Sequence, residues 1–467
     1  MIYQIVMYGL PLAIAALAIQ GFGLARRNGK YTTLLTGIIL SAIAVIGGLA
    51  LYRNYAFYEI GGFGGSPALF RVDPFSALFV SVISAVMVII LLISNEEEEK
   101  GIFNMFFSLV AVGALVVVLS DSILTLMLGL ELVSASTVLA ILNGGKRRVE
   151  AAVKLFVVSS IAISIFVFAL SLVMPYTNGF TIAPISMGGI SDALLSLSAI
   201  LFVTGLAIDA GIVPFNLWMA DVYEGAQGNI TALLSGVNKK VAFIAIFYIF
   251  FVVLALRVSM FAPLFEVLAI ITMFFGNLMA MVQNNVKRML AYSSISQAGY
   301  ILLGFAVANI EGLSAAFFQI IAHMFMTVGA FAVVMWLAEK NINEVGEYKG
   351  LFQRNMFAGV ALTIFMLSMA GVPPLMGFVG KFLLFSSAIG TGMLILAFAG
   401  IINSFISIYY YGKVIAAMAE GTDKARLHMR IGLGLAIGLC LVVIVVLGIY
   451  PQPLISVVHN SVLSVFN

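Results

Sequence analysis

Apolar residues run along this chain in stretches of about twenty, the length at which an α-helix crosses the hydrocarbon slab of a bilayer. The stretches cover residues 3 to 23, 31 to 51, 74 to 94, 102 to 120, 122 to 142, 152 to 174, 193 to 217, 229 to 256, 262 to 282, 288 to 309, 312 to 338, 356 to 389, 391 to 417 and 431 to 450. The pattern predicts an all-α, polytopic membrane protein of about fourteen transmembrane helices. Basic residues follow the first stretch rather than precede it, so it is read as a retained helix and not as a signal peptide.

Two of these runs are interrupted. Gly205 to Lys240 reads GLAIDAGIVPFNLWMADVYEGAQGNITALLSGVNKK, with an acid, Asp209, inside the apolar run, a break at Pro214, and the adjacent lysines Lys239 and Lys240 in the run that follows. In LSMAGVPPLMGFVGKFLLF, Pro373 and Pro374 stand among Gly371, Gly377 and Gly380, and Lys381 follows. Proline removes a backbone donor and clashes with the preceding turn, so a membrane helix is broken only where neighbours or a cavity satisfy the freed groups. Paired interruptions in two halves of a chain point to an inverted-repeat transporter core. The expected organisation is a three-helix segment over 1–99, a first repeat over 100–256, a second over 262–417, and a C-terminal helix and tail over 418–467.

Composition agrees: 63% of the 467 residues are hydrophobic, 9% are charged, and the mean hydropathy is +1.15. The single cysteine, Cys440, forms no internal disulfide, and His323, His428 and His459 lack metal-ligand spacing. No cofactor is expected in this chain. Loops after odd-numbered helices hold fifteen basic residues, among them Arg26, Lys146, Arg148, Lys287, Arg288 and Arg430, against Arg53, Arg71 and Arg257 in the others. That bias places the richer side in the cytoplasm and both termini outside. Lys154, Lys239, Lys240, Lys381 and Lys413 are left in or at the edge of the membrane.

Each intramembrane charge costs roughly 2.5 to 3.5 kcal/mol on insertion scales, which makes these side chains candidates for ion or proton movement. Glu131, in LMLGLELVSAST, is the acidic counterpart; it marks a proton path or is simply held by a hydroxyl such as that of Ser134. Lys381 is a relay group or a lysine snorkelling from a helix end. His323 is a relay group or a hydrogen-bonded core histidine. Adjacent helical residues point about 100° apart, so Lys239 and Lys240 do not serve one path directly. Lys287 and Arg288 suit a cytoplasmic boundary and lipid phosphate, Glu96 to Glu99 a solvated loop, and the GGFGG at 61–65 an external one. Asp221 and Glu224 either line a channel mouth or cap the re-entering segment.

FGNLMAMVQNNVKRMLAYSSISQAGYILLGF, residues 275 to 305, resembles the subunit N family of NADH-quinone oxidoreductase, respiratory complex I. The likeness continues in LGLELVSAS around Glu131, EAAVKLF around Lys154, VPFNLWMADVYEGA after Asp209, AGVPPLMGFVGKF around Lys381, and LGIYPQPLISVV near the end. Related subunits occur in F420H2 dehydrogenases, membrane-bound hydrogenases and multisubunit cation/proton antiporters. The resemblance implies fourteen helices, two inverted five-helix units each with a broken helix, and a polar axis that passes protons through Glu131, Lys154, Lys240 and Lys381. It implies a translocase subunit without its own redox centre. Flavin, iron–sulfur clusters and the quinone site would lie on partner subunits, beside other antiporter-like and small membrane subunits, in the cell membrane of a prokaryote.

One departure stands out. The family usually has a lysine five residues before the first proline, where this chain has Asp209, and a histidine where it has Asn216. The Glu–Lys pair becomes a Glu–Asp pair able to share one proton, to recruit Lys154 or Lys240, or to hold a cation such as Na⁺. A subunit that has lost its first half-channel is the competing reading.

Overall fold

Asp73 shows how this sequence starts a helix against a crowded background. Its Oδ1 accepts from Ser76 N at 2.7 Å, Ser76 Oγ accepts from Asp73 N at 2.8 Å, and Pro74 takes the first helical position, where no backbone donor is needed. The Arg71 guanidinium lies 3.0 Å from Asp73 and 3.8 Å from Asp121. Burial opposes its charge, but the neighbouring carboxylates outweigh that and hold the group above its ordinary value.

The computed structural model describes residues 9–23, 29–52, 58–60, 68–94, 100–142, 146–177, 179–186, 190–421 and 426–466. The glycine-rich 61–65 and the acidic run Glu96 to Glu99 lie outside them, as do the first eight residues. The first half of the chain holds α1 (Leu10–Gly23), α2 (Gly29–Tyr52), α3 (Pro74–Ile93), α4 (Lys100–Leu119), α5 (Ile123–Ile141), α6 (Lys146–Val173), α7 (Asp192–Ala210), α8 (Leu217–Gly225), α9 (Gly228–Leu233) and α10 (Lys239–Phe247). The second holds α11 (Val258–Met281), α12 (Val286–Val307), α13 (Ile310–Ala338), α14 (Leu351–Arg354), α15 (Met356–Ala370), α16 (Met376–Gly390), α17 (Leu394–Ala419), α18 (Ile431–Ile449) and α19 (Gln452–Phe466). Among the described residues eleven helices are long and apolar enough to cross a membrane, and four shorter apolar ones accompany them.

The interruptions fall where the prolines place them: the run 356 to 389 is two helices, α15 and α16, and 193 to 217 ends as a helix at Ala210. Three features depart from the expected pattern. The crossing over Gly228–Val253 is π-helical at Leu234–Asn238 and again at Tyr248–Val253, which no proline announces. Residues Tyr58–Ile60 pair antiparallel with Phe70–Val72, a small ladder in an otherwise helical chain. The tail is a helix, α19, seated on α3 and α13 with Val458 and Val462 buried.

α13 is buried along almost its whole length, and α3, α9, α12, α15, α16, α18 and α19 pack around it. Small residues set the closest crossings. A Cβ on Gly113 would lie 2.9 Å from Gly129 O, and one on Gly129 2.9 Å from Gly113 O, so α4 and α5 touch backbone to backbone.

Candidate functional site

The two breaks share one local geometry. α7 ends at Gly211 (φ 68°) and α15 at Gly371 (φ 91°), both in the left-handed region that glycine enters without a Cβ penalty. Gly211 N reaches Ala207 O and Ile208 O, while Gly371 N reaches Leu367 O and Ser368 O. Three residues after each glycine comes a cis proline, Pro214 after Val213 and Pro374 after Pro373. The groups freed at each break are taken up by side chains. Trp218 Nε1 donates to Ile208 O at 3.0 Å and Thr272 Oγ1 accepts from Val213 N at 3.2 Å. In the second break Lys381 Nζ and Ser404 Oγ both donate to Ala370 O at 2.9 Å. A helix C-terminus carries partial negative charge, so a lysine is an apt partner there.

A row of buried polar side chains joins the breaks. Lys239 and Lys240 follow the π-helical turn and are each 1% exposed. Lys239 Nζ donates to Ser294 O at 2.9 Å and to Ser294 Oγ at 3.2 Å, whereas Lys240 Nζ lies 2.6 Å from His323 Nδ1. With Lys240 as an ammonium, which only donates, Nδ1 is the acceptor of this contact. One turn earlier on α13, Gln319 Nε2 donates to Gln297 Oε1 at 2.9 Å, and Gln297 Nε2 to Met369 O at 3.1 Å, at the end of α15. Lys381, 2% exposed, lies 4.5 Å above the Tyr300 ring. Several buried atoms along this row have no protein partner, among them His323 Nε2, Gln319 Oε1, Ser235 Oγ and Ser296 Oγ. Buried polar atoms without partners are characteristic of places where ordered water enters.

The remaining candidates fall in two places. Glu131 and Asp209 line one hollow of about 10 Å³ with Ser134 and Ser159. Ser134 donates to Ser159 at 2.8 Å, so its hydroxyl is turned to a neighbour other than Glu131. Glu131 itself is exposed on the flank of the bundle. Lys154 is not on the row. Its Nζ is 2.8 Å from both Glu150 and Asp221, with the side chain 39% exposed, at the end of the bundle where Arg288 Nη1 reaches Asp221 and Glu224 at 2.8 Å each. Lys287 Nζ donates to Ala226 O at 2.6 Å. Lys287 and Arg288, read from the sequence as lipid contacts, therefore hold α8 in place, and Asp221 and Glu224 are their partners. At the opposite end, a crevice of about 350 Å³ between α13, α16 and α19 is lined by Glu311, Ser314, Ser387, Thr391 and His459.

Sequence reasoning missed Ser294, Gln297, Gln319, Tyr300 and Ser404. The two glutamines, uncharged amides inside apolar helices, were the available signal. For Arg288→Gln the expected result is a thermal midpoint lowered by a few degrees, about 1 kcal/mol for a half-exposed pair network. Cys440 is buried, so its reaction with a thiol dye on heating the purified chain reports the transition.

Residues 120–407 match the family described as NADH:quinone oxidoreductase/Mrp antiporter, transmembrane. The chain belongs to that NADH:quinone oxidoreductase/Mrp antiporter family. Within the family it is 33% identical to NADH-quinone oxidoreductase subunit N of Moorella thermoacetica, over 99% of this chain and 98% of that one. It is 32% identical to F420H2 dehydrogenase subunit N of Methanosarcina mazei, over 92% and 94%. The fold recurs in the Mrp complex of Dietzia sp. DQ12-45-1b, with a TM-score of 0.90 at 19% identity over 98% and 96% of the chains. It recurs also in an archaeal membrane-bound sulfane sulfur reductase, with a TM-score of 0.89 at 25% identity over 97% of each. The chain is thus a polytopic, antiporter-like membrane protein of the subunit N type.

Proposed function

We propose that this chain is a proton-translocating membrane subunit of a complex I-type respiratory oxidoreductase. The observation that carries the reading is the buried row Lys239, Lys240–His323, Gln319–Gln297, Lys381, strung between two helices broken in the same way. Burying several cations costs free energy that a purely structural core avoids by using apolar residues. The matching breaks support the two inverted repeats over 100–256 and 262–417. The eleven long helices, the shorter α1 and α4, and α15 with α16 taken as one crossing support a total of fourteen. The basic ends of α6 and α12 support a cytoplasmic placement of that side in a prokaryotic cell membrane, with both termini outside.

Electron transfer would occur on partner subunits carrying flavin, iron–sulfur clusters and the quinone site. The row would then move protons through Glu131, Asp209, Lys240, His323 and Lys381, with Lys154 steadying the entrance rather than relaying. Two measurements test this. Gentle purification from native membranes is expected to recover iron–sulfur and quinone-site subunits in fixed ratio with this chain; recovery of small membrane subunits alone would overturn the redox link. In vesicles, Lys240→Gln is expected to cut proton uptake per quinone reduced by about tenfold or more, the range for a positioned proton-transfer group. Unchanged uptake would leave a structural subunit.

The Glu131 and Asp209 carboxylates around one hollow favour a second reading, exchange of a cation such as Na⁺ for protons without redox partners. A sodium gradient driving proton flux through the purified membrane subunits would establish it.

A further inference from the structure

A cavity of about 1090 Å³ opens at the end of the bundle where α6 and α12 begin, apart from the buried row and from both breaks. Its walls are α2, the last turns of α3 and α13, the first turn of α4 and the link between α8 and α9. On α2 it is lined by Leu34, Gly37, Ile38 and Ser41, whose spacing of three and four puts them on one stripe of the helix. At a rise of about 1.5 Å per residue, the stripe from Thr33 to Ser41 descends about 12 Å into the bilayer. A Cβ on Gly37 would meet nothing within 4 Å, so the cavity reaches the α2 backbone there. Opposite stand Leu91, Phe103 and Met335, and Asn104 Nδ2 donates to Thr33 Oγ1 at 2.7 Å, tying α4 to α2 across the wall. Protein interiors hold few voids larger than a water molecule, so an apolar slot of this size beside lipid calls for an occupant.

The mouth of the cavity has the opposite chemistry. Lys287, whose contact with Ala226 O holds α8, also lines it, and so does Arg148 at the start of α6. The two cations are near enough to act on each other, a repulsion that an anion in the cavity relieves. Lys287 Nζ directs N–H groups to Ala226 O at 2.6 Å and Glu224 O at 3.3 Å, and an ammonium has a third to give. Glu339, the carboxylate among the described lining residues, is met by Arg430 Nη2 at 3.9 Å and does not offset the pair. We infer that this cavity binds an anionic phospholipid, its phosphate against Lys287 and Arg148 and an acyl chain along the α2 stripe. Basic pockets between transmembrane helices on the cytoplasmic side suit anionic headgroups, and the inference takes from the proposed function only that placement, not proton pumping. The lipid bridges α2 to the first turns of α6 and α12.

The test is native mass spectrometry of the full chain, alone and in its assembled complex, in detergent micelles carrying phosphatidylglycerol or phosphatidylcholine. One phosphatidylglycerol is expected to stay on each chain, with phosphatidylcholine held at least fivefold more weakly. Lys287→Gln, which keeps a donor for Ala226 O but removes the charge, is expected to weaken phosphatidylglycerol retention about fivefold, the share of one basic residue near an anionic headgroup. Gly37→Phe puts a ring into the slot without touching protein and replaces glycine by a better helix former, so the chain folds while the lipid is shut out. Added phosphatidylglycerol should raise the midpoint of Cys440 exposure in the parent and leave that of Gly37→Phe unmoved. Parental retention by Gly37→Phe, or equal retention of the two lipids, would overturn the site. Inorganic phosphate that raises the parental midpoint as far as phosphatidylglycerol does would assign the basic pair to a free anion and overturn the lipid. Retention by the isolated chain but not by the complex would mean that another subunit fills the cavity, and overturns the assignment equally.

Discussion

Gly377→Ala is expected to prevent this chain from reaching its native packing. A Cβ there would lie 1.9 Å from Ser368 O and 2.7 Å from Ser368 C, and both are backbone atoms of the facing half-helix. No rotamer relieves the overlap, so α15 and α16 must separate. Separation breaks the bond from Gly377 N to Ser368 Oγ at 3.1 Å and withdraws Lys381 from Ala370 O. Overpacking alone costs about 1–3 kcal/mol, and moving backbone raises the figure. The measurement is the yield of monodisperse chain in detergent and the midpoint of Cys440 exposure on heating. Gly390→Ala is the control: nothing lies within 4 Å of its Cβ, and it should behave as the parent does. An equal midpoint for the two variants would show that the break is not closely packed.

Lys381→Met has the largest expected effect on transport. Methionine roughly conserves the volume of the lysine stem, and Ala370 O keeps the hydrogen bond from Ser404, so assembly survives. What disappears is the cation held between the end of α15 and the Tyr300 ring. Proton uptake per quinone reduced is expected to fall by about a hundredfold, within the range lost with a positioned acid or base. Lys381→Arg, which retains charge without exchanging it, should pump no better. Full pumping by the arginine variant would mean that Lys381 acts through its field alone.

Much of the architecture was legible because bilayer thickness imposes one length scale on apolar runs. The expected 31 to 51 became Gly29–Tyr52, and 74 to 94 became Pro74–Ile93. Both proline breaks, Lys240, His323 and Lys381 were also readable, since charge inside such a run is costly and so conspicuous. Direction was not readable. Lys154 finds Asp221 and Arg288 finds the same carboxylate, each across 67 positions of sequence, and hydropathy carries no information on that pairing. Helix periodicity says only that Lys239 and Lys240 diverge, not which of them meets Ser294 and which His323. The π-helical turn before them packs against α13 and leaves no composition signal.

The short halves of the second broken crossing bear on how the protein is made. α15 and α16 have fifteen residues each, so each is about 22 Å long against a hydrocarbon core of about 30 Å. Neither half can halt translocation or settle in lipid by itself. The two halves are therefore expected to enter the bilayer together as a single crossing, with Lys381 meeting Ala370 O only once the second half is in place.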